Sequence, residues 1–171
     1  IALVGPTGAG KTTIVNLVSR FYNINGGTVR IDDSDISKVT LKSLRSQMGI
    51  MLQDSFIFSG TIGDNIRYGK LDATMDEIRS ACRIVGIDDY IMSLKDGYDT
   101  VVNERGSGLS QGQKQLIAFA RTIVSDPKIL VLDEATSSID AKTERYLQNG
   151  LNHLLKGRTS FIIAHRLSTI R

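Results

Sequence analysis

Residues 5–12 have the spacing G-x-x-x-x-G-K-[ST], which combines flexible backbone with a cation and a hydroxyl. The glycines let the chain bend until several backbone N–H groups point at one centre, and a following helix adds positive potential there. The pattern stands between an apolar run and a helical pattern, which is the context this chemistry needs. It predicts a phosphate-binding loop in which Lys11 bridges the β- and γ-phosphates of a nucleotide and Thr12 holds Mg²⁺. The predicted nucleotide-binding residues here are Gly5, Pro6, Thr7, Gly8, Ala9, Gly10, Lys11, Thr12 and Thr13.

Two carboxylates, Asp133 and Glu134, directly follow the apolar run 129–132. In a parallel sheet the carboxyl ends of the strands face the ligand crevice, so both residues would lie beside a bound nucleotide. Carboxylate oxygen suits a hard cation, so we predict Asp133 as a Mg²⁺ ligand, directly or through water. Glu134 is then the candidate to polarise an attacking water.

A second anion site is indicated where a helical pattern begins after Ser110. A serine, a nearby glycine and free backbone N–H groups at a helix start can bind a phosphate. One phosphate loop is enough for one nucleotide. The second site is therefore redundant unless it serves the nucleotide of another copy. Its residues are Ser110, Gln111, Gly112 and Gln113.

The elements that would position these residues alternate between strands and helices, which predicts an α/β fold with a mostly parallel core sheet. Buried strands are predicted at 1–4, 49–52, 129–132 and 161–164, with a peripheral antiparallel strand at 28–31. Helices are predicted at 11–20, 111–125 and 143–155. The stretch 61–125 has few strand signals and reads as a helical insertion.

Composition excludes several classes of protein. The net charge of the 171 residues is +3 and the basic residues are scattered, which argues against nucleic acid as a partner. Cys82 is the only cysteine, so no intrachain disulfide is possible and we expect a small buried side chain. No apolar run is long enough to cross a bilayer. Because the chain starts at Ile1 inside an apolar run and stops at Arg171 without residues that typically end a structural element, we expect a fragment truncated at both ends.

Taken in order, these motifs resemble the nucleotide-binding domain of ATP-binding-cassette exporters, and the resemblance runs from Ile1 to Arg171. The matching stretches are the phosphate loop 5–12, Gln53, residues 58–66, residues 104–106, the signature 109–113, residues 133–134, residues 137–140 and His165. The resemblance implies a P-loop NTPase with a RecA-like core at about 1–60 and 126–171. It also implies a small antiparallel β portion and a helical subdomain at about 61–125.

The resemblance implies ATP hydrolysis by a head-to-tail dimer, with ATP and Mg²⁺ held between each phosphate loop and the partner's signature. The implied catalytic residues are Lys11, Glu134, Gln53, which touches Mg²⁺ and the attacking water, and His165, which contacts the γ-phosphate. Asp140 would cross the dimer seam towards the other site.

The implied partners are a transmembrane domain, in the same chain or another, and a second nucleotide-binding domain, identical or different. Gln53, Glu104 and Arg105 would face the transmembrane domain at the cytoplasmic face of the cell membrane. Base recognition would depend on an aromatic residue upstream of Ile1.

One departure from the family pattern leaves a second interpretation open. The family's usual signature has two glycines after the serine, and here the first is replaced by Gln111. Such changes occur in heterodimeric exporters, so a nucleotide-gated regulatory half with weak hydrolysis is an alternative. A non-transport cassette ATPase is another, although the interval between Lys11 and Ser110 has no heptads for the coiled-coil insertion of the DNA-repair type.

Overall fold

The computed structural model describes residues 1–6, 8–51, 55–133 and 141–163. At its centre, the described strands β1, β8, β7 and β4 form a parallel sheet in that order. The strands are β1 (Ala2–Leu3), β4 (Met48–Met51), β7 (Ile129–Asp133) and β8 (Thr159–Ile163). The first four residues of β7 are buried, as expected for an apolar strand covered on both faces.

Two small antiparallel pairs lie outside the parallel sheet. β2 (Arg30–Ile31) pairs with β3 (Ser34–Asp35), and β5 (Gly60–Thr61) pairs with β6 (Val101–Val102). The turn between β2 and β3 consists of Asp32 and Asp33, whose φ angles are 45° and 63°. Two residues of positive φ are what a tight hairpin of this hand requires.

Helices account for much of the remaining described chain. They are α1 (Lys11–Val18), α2 (Leu41–Arg45), α3 (Ile62–Arg67), α4 (Met75–Ile84), α5 (Asp88–Ser93), α6 (Gln111–Ser125) and α7 (Ala141–Leu155). Short 3₁₀ helices occur at Ile36–Lys38, Gly97–Asp99 and Glu104–Gly106. Threonine side chains cap α2, α3 and α4, and each accepts a hydrogen bond from a first-turn N–H group.

Helix α6 is the centre of the larger hydrophobic core. Its buried side chains include Leu116, Ile117, Phe119, Ala120 and Val124, spaced three to four residues apart. They pack with buried residues of α3, α4, α7 and β7. The N-terminus of α6, where the signature lies, is therefore held by a helix that is packed on several sides.

These observations confirm the predicted α/β class, the parallel core sheet and the small antiparallel portion. The bounds of α6 are those predicted, whereas α1 ends at Val18 rather than at residue 20, because Arg20 has a positive φ of 51° that a helix cannot continue through. Cys82 lies in α4 with none of its surface exposed, as predicted, and burial raises its pKa to about 12. The division into a core and a helical subdomain stays a prediction.

Within the described ranges, no helix has both the length and the apolar character needed to span a bilayer.

Candidate nucleotide-binding and hydrolysis site

The loop between β1 and α1 has the backbone geometry that the sequence pattern predicts. Gly8 and Gly10 have φ angles of 85° and 86°, in the left-handed region that residues with a side chain rarely adopt. Gly10 is the N-cap residue of α1, and no side chain in the described part of the chain caps that helix end. The first-turn N–H groups of α1 therefore remain available to an anion.

Lys11 is the first residue of α1, and its ammonium group bends back onto the loop. Its Nζ donates to the carbonyl oxygen of Gly5 at 2.7 Å and to that of Pro6 at 3.0 Å. An ammonium group has three N–H bonds, so one donor is left beyond these two contacts. The positive charge thus lies beside the backbone that would surround a phosphate group.

Thr12 and Asp133 face one cavity, although they belong to different elements. Thr12 is in the first turn of α1 and Asp133 ends β7, and both line a cavity of about 530 Å³. Other lining residues include Val15, Ile50 and Val131. A hydroxyl and a carboxylate are oxygen ligands that suit Mg²⁺. The described ranges contain no group of three or more His, Cys, Asp or Glu side chains placed to hold a metal. Two protein oxygens with substrate phosphates completing the shell are a usual Mg²⁺ arrangement, so Thr12 and Asp133 fit it.

Ser110 begins α6 through a reciprocal pair of hydrogen bonds. Its Oγ accepts from the backbone N–H of Gln113 at 3.2 Å, and Gln113 Oε1 accepts from the backbone N–H of Ser110 at 2.8 Å. This capping box uses the acceptor capacity of the serine and leaves its O–H proton free to be donated. The N–H groups of Gln111 and Gly112 also have no partner within the helix by their position. All three donors belong to the N-terminus of α6.

The glutamine that departs from the family pattern is accommodated on the surface. Gln111 is exposed, whereas Gly112 is buried. The retained glycine is thus at the position with less room for a side chain. The capping box of Ser110 and Gln113 is intact with glutamine at position 111, and phosphate contact by Ser110 and Gly112 stays a prediction.

The segment ahead of the signature is fixed to the segment that follows Gln53. Arg105 has a positive φ of 60° in the kinked turn Glu104–Gly106, and its N–H group donates to the carbonyl of Ile57 at 3.2 Å. Ile57 is fully buried. Arg105 itself is exposed.

Several predicted site residues lie outside the described residues. They are Thr7, Gln53, Glu134, Asp140 and His165. The structure brings Lys11 to the loop and Thr12 to the cavity lined by Asp133, and the roles of all the predicted site residues stay predictions. Thr13 is exposed in the first turn of α1.

The structure also reveals an arrangement of side chains that the sequence patterns did not predict, although one of them, Phe58, lies in the matching stretch 58–66. Phe56, Phe58 and Tyr68 form an exposed aromatic patch, with ring centroids 4.9 Å and 4.6 Å apart in successive pairs. Arg121 lies over this aromatic patch. One feature of the sequence could have identified Arg121: it is the only charged residue from Leu116 to the end of α6, a mostly apolar stretch. A charge in such a stretch indicates a specific buried partner.

The chain matches a family model described as ABC transporter over residues 1–137. It is 58% identical to the uncharacterized ABC transporter ATP-binding protein YknV of Bacillus subtilis (strain 168), over all of this chain and 28% of that protein. It is 52% identical to the fatty acid ABC transporter ATP-binding/permease protein of Mycobacterium tuberculosis (strain CDC 1551 / Oshkosh), over all of this chain and 27% of that one.

A solved structure of a bacterial Atm1-family ABC exporter with ATP bound superimposes with a TM-score of 0.90 at 48% identity. The match covers 99% of this chain and 30% of the exporter chain, so the present chain spans less than a third of the length of these relatives. The loop geometry, the parallel sheet and these similarities agree: the chain belongs to the ABC transporter family, as an ATP-binding ATPase domain close to those of ABC exporters.

Proposed function

We propose that this domain hydrolyses ATP in order to power transport across a membrane, through ATP-dependent closure of two such domains. The observation that carries the proposal is the phosphate loop, in which Lys11 is held at the carbonyls of Gly5 and Pro6 beside the uncapped N-terminus of α1. An anion there would meet a full positive charge and several backbone donors at once.

The proposed reaction is the in-line attack of water on the γ-phosphoryl group of ATP. Glu134 would accept a proton from the water, and Gln53 would orient that water. Lys11 and His165 would stabilise the charge that spreads over the γ-phosphate oxygens. A Mg²⁺ ion held by Thr12 and Asp133, with Gln53 as a further ligand, would neutralise charge on the β- and γ-phosphates when bound.

The unused donors of Ser110, Gln111 and Gly112 support a second copy in the working unit. They form an anion site at the start of α6, in addition to the phosphate loop at the start of α1. In the proposed dimer they close over the ATP held by the other domain, and Asp140 reaches across the same seam. ATP binds the closed pair more tightly than the open one, so binding closes the dimer and phosphate release reopens it. The second domain is a copy of this chain or a related one.

The aromatic patch supports a transmembrane domain as the other partner. Phe56, Phe58 and Tyr68 are 50%, 37% and 60% exposed, although aromatic side chains usually bury most of their surface. Clustered exposed aromatic rings are typical of protein interfaces. The mycobacterial relative is named as an ATP-binding/permease protein. We therefore propose that the aromatic patch, with Glu104, Arg105 and Gln53, faces a membrane-embedded domain at the cytoplasmic face of the membrane.

A nucleotide-gated regulatory half with weak hydrolysis is a second candidate, which the replacement of a glycine by Gln111 favours. The exposed position of Gln111 weakens this argument for a regulatory half, because the capping box and Gly112 are intact. We therefore place productive hydrolysis first.

The experiment measures ATP binding and phosphate release for variants of the full-length protein. Glu134→Gln is expected to retain ATP binding and to lower turnover by about 10²–10⁴-fold, because a positioned base is lost. Lys11→Ala is expected to lose ATP affinity in calorimetry. Glu144→Gln, an exposed carboxylate in α7, is the matched control and should turn over normally.

Near-normal hydrolysis by Glu134→Gln would remove that residue from the catalytic role. Phosphate release by the unmutated protein that is no faster than that of Lys11→Ala would favour the regulatory candidate.

A further inference from the structure

Arg121, in the middle of α6, ties the signature helix to the segment that follows Gln53. Its Nη1 donates to the carbonyl of Phe56 at 3.0 Å, and its Nε donates to the carbonyl of Asn65 at 2.7 Å. Its Nη2 donates to Asn65 Oδ1 at 3.1 Å. Phe56 is only three residues beyond Gln53. One guanidinium group therefore joins α6, α3 and this segment.

Because the guanidinium group of Arg121 is partly removed from water, these hydrogen bonds must replace those that water would make. Desolvation lowers the pKa of Arg121 from its usual value, but an arginine keeps its charge at neutral pH. In the described ranges no carboxylate forms an ion pair with Arg121, and its charge is met by backbone carbonyls, an amide oxygen and the faces of two rings. The guanidinium carbon lies 5.3 Å from the ring centre of Phe58 and 5.9 Å from that of Tyr68.

Asn65 extends the linkage along the segment. Its side chain is 2% exposed, and its Nδ2 donates to the carbonyls of Phe58 at 2.9 Å and Thr61 at 3.0 Å. Its Oδ1 also accepts from the N–H of Phe58 at 2.9 Å. The backbone of Phe58 is therefore held as it would be by a neighbouring strand. Arg121 and Asn65 together fix residues 56–61.

A second connection leads from the same segment to the turn before the signature. Ile57 accepts the N–H of Arg105, and a Cβ atom added at Gly106 would lie 3.2 Å from the Ile57 side chain. Leu109 and Ser110 follow two residues after this turn. Residues 56–58 are thus fixed both to the body of α6, through Arg121, and to the approach to its N-terminus, through Arg105.

We propose that Arg121 is a positioning residue for hydrolysis, which joins the segment after Gln53 and the signature helix into one rigid unit. Through this unit, residues 55–61, which follow Gln53 in the chain, and Ser110 at the start of α6 keep one relative position, and we propose that the function of Gln53 depends on it. This proposal rests on the proposed function, and Arg121 acts through Gln53 rather than by touching nucleotide.

The chemistry of the linkage requires arginine. The planar guanidinium fork reaches Phe56 and Asn65 simultaneously, whereas a lysine ammonium group on a flexible stem cannot reproduce that geometry. Arg121→Lys keeps the charge and most of the apolar stem and removes the fork. It is therefore the variant that separates positioning from charge and packing.

The test is a double-mutant cycle on ATP turnover by the full-length protein, with Arg121→Lys, Gln53→Ala and both changes together. We expect Arg121→Lys to lower kcat at least about fivefold with the KM for ATP changed less than twofold, and to lower kcat less than twofold further in the Gln53→Ala background. The matched control is Arg20→Lys. Arg20 is also partly buried and donates to two carbonyls, those of Ile36 at 2.6 Å and Val39 at 2.8 Å, so its variant should keep kcat within twofold.

An unchanged kcat for Arg121→Lys, or an equal loss in both backgrounds, overturns the proposal. The proposed function fails separately, if the unmutated protein hydrolyses ATP no faster than Lys11→Ala.

Native-state hydrogen exchange of the unmutated protein gives a second test that does not depend on the folding of any variant. The amides of Phe58 and Arg105 are expected to open together with those of α6 around Arg121, with protection within about tenfold. If the amides of Phe58 and Arg105 exchange more than tenfold faster than those of α6, they open separately. That result overturns the proposal of a rigid unit.

Discussion

At the scale of single residues, the side chain of Lys11 is held at the phosphate loop by its own hydrogen bonds. Its contacts with Gly5 and Pro6 place the ammonium group at the loop, so little rearrangement is needed to reach a phosphate. The sequence pattern predicted that Lys11 lies at this loop, because the spacing itself encodes the geometry, and its contact with a phosphate stays a prediction. The role of Arg121 was not predictable, because its partners Phe56 and Asn65 are 65 and 56 residues away in the chain.

Asp88 is a second residue whose environment has a measurable consequence. Its carboxylate is nearly buried at the start of α5 and accepts hydrogen bonds from the hydroxyl of Tyr98 at 2.7 Å, from Arg79 at 3.4 Å and from Arg83 at 3.2 Å. Burial alone would raise its pKa, but the hydrogen bonds from Tyr98, Arg79 and Arg83 outweigh burial, and the pKa of Asp88 is lowered. The charged form therefore stabilises the folded helices.

We predict that Asp88→Asn lowers the free energy of unfolding at pH 7 by about 1–3 kcal/mol, because hydrogen bonds to a buried carboxylate are weakened. A lowered folded-state pKa gives stability that is present above the unfolded pKa of about 3.9 and is lost as the pH falls through the folded value. The difference between the two proteins should thus shrink below about pH 4. Hydrogen exchange of the α4 and α5 amides in increasing urea measures it.

The matched control for this prediction is Asp89→Asn, an exposed neighbour that should change stability by less than about 0.5 kcal/mol. A destabilisation of Asp88→Asn that is equally large at pH 3 and pH 7 would show that its ionised form is not what matters.

At the scale of elements, the sequence predicted those whose local signals were long or specific. Helix α6 was predicted with its observed bounds, because Ser110 and Gln113 form a capping box and the apolar spacing continues to Val124. The strands β3, β5 and β6 have two residues each, too few to show an alternating pattern. The aromatic patch was also missed, since exposure is set by the arrangement of α3 and α6 rather than by local sequence.

The aromatic patch leads to a prediction about the element that carries it. A cysteine in place of Tyr68, reacted with a short photo-crosslinker in the full-length membrane-embedded protein, should crosslink to peptides of the transmembrane domain. The native Cys82 is fully buried and should not react. Lys156→Cys, exposed just before β8 and outside the aromatic patch, is the control.

Crosslinks from position 68 confined to peptides within residues 1–171, or equal crosslinking from position 156, would argue against docking at the aromatic patch.

In the proposed function, the whole molecule is one half of a site that two domains complete. The phosphate loop, Thr12 and Asp133 provide one side, and the start of α6 offers donors that its own loop does not need. Arg121 joins α6 to α3 and to the segment that follows Gln53. The family and the fold could be predicted from the sequence, because ordered motifs and strand patterns are local features, whereas the pairing of two domains is a property of the assembly.

A structure of the full-length Glu134→Gln protein with ATP bound tests this arrangement most directly. We predict that Lys11 Nζ lies about 2.7–3.2 Å from a γ-phosphate oxygen in its own domain, and that Ser110 Oγ lies within the same range of the γ-phosphate held by the opposite domain. A structure in which Ser110 contacts no nucleotide, or only the ATP bound to its own phosphate loop, would contradict the account.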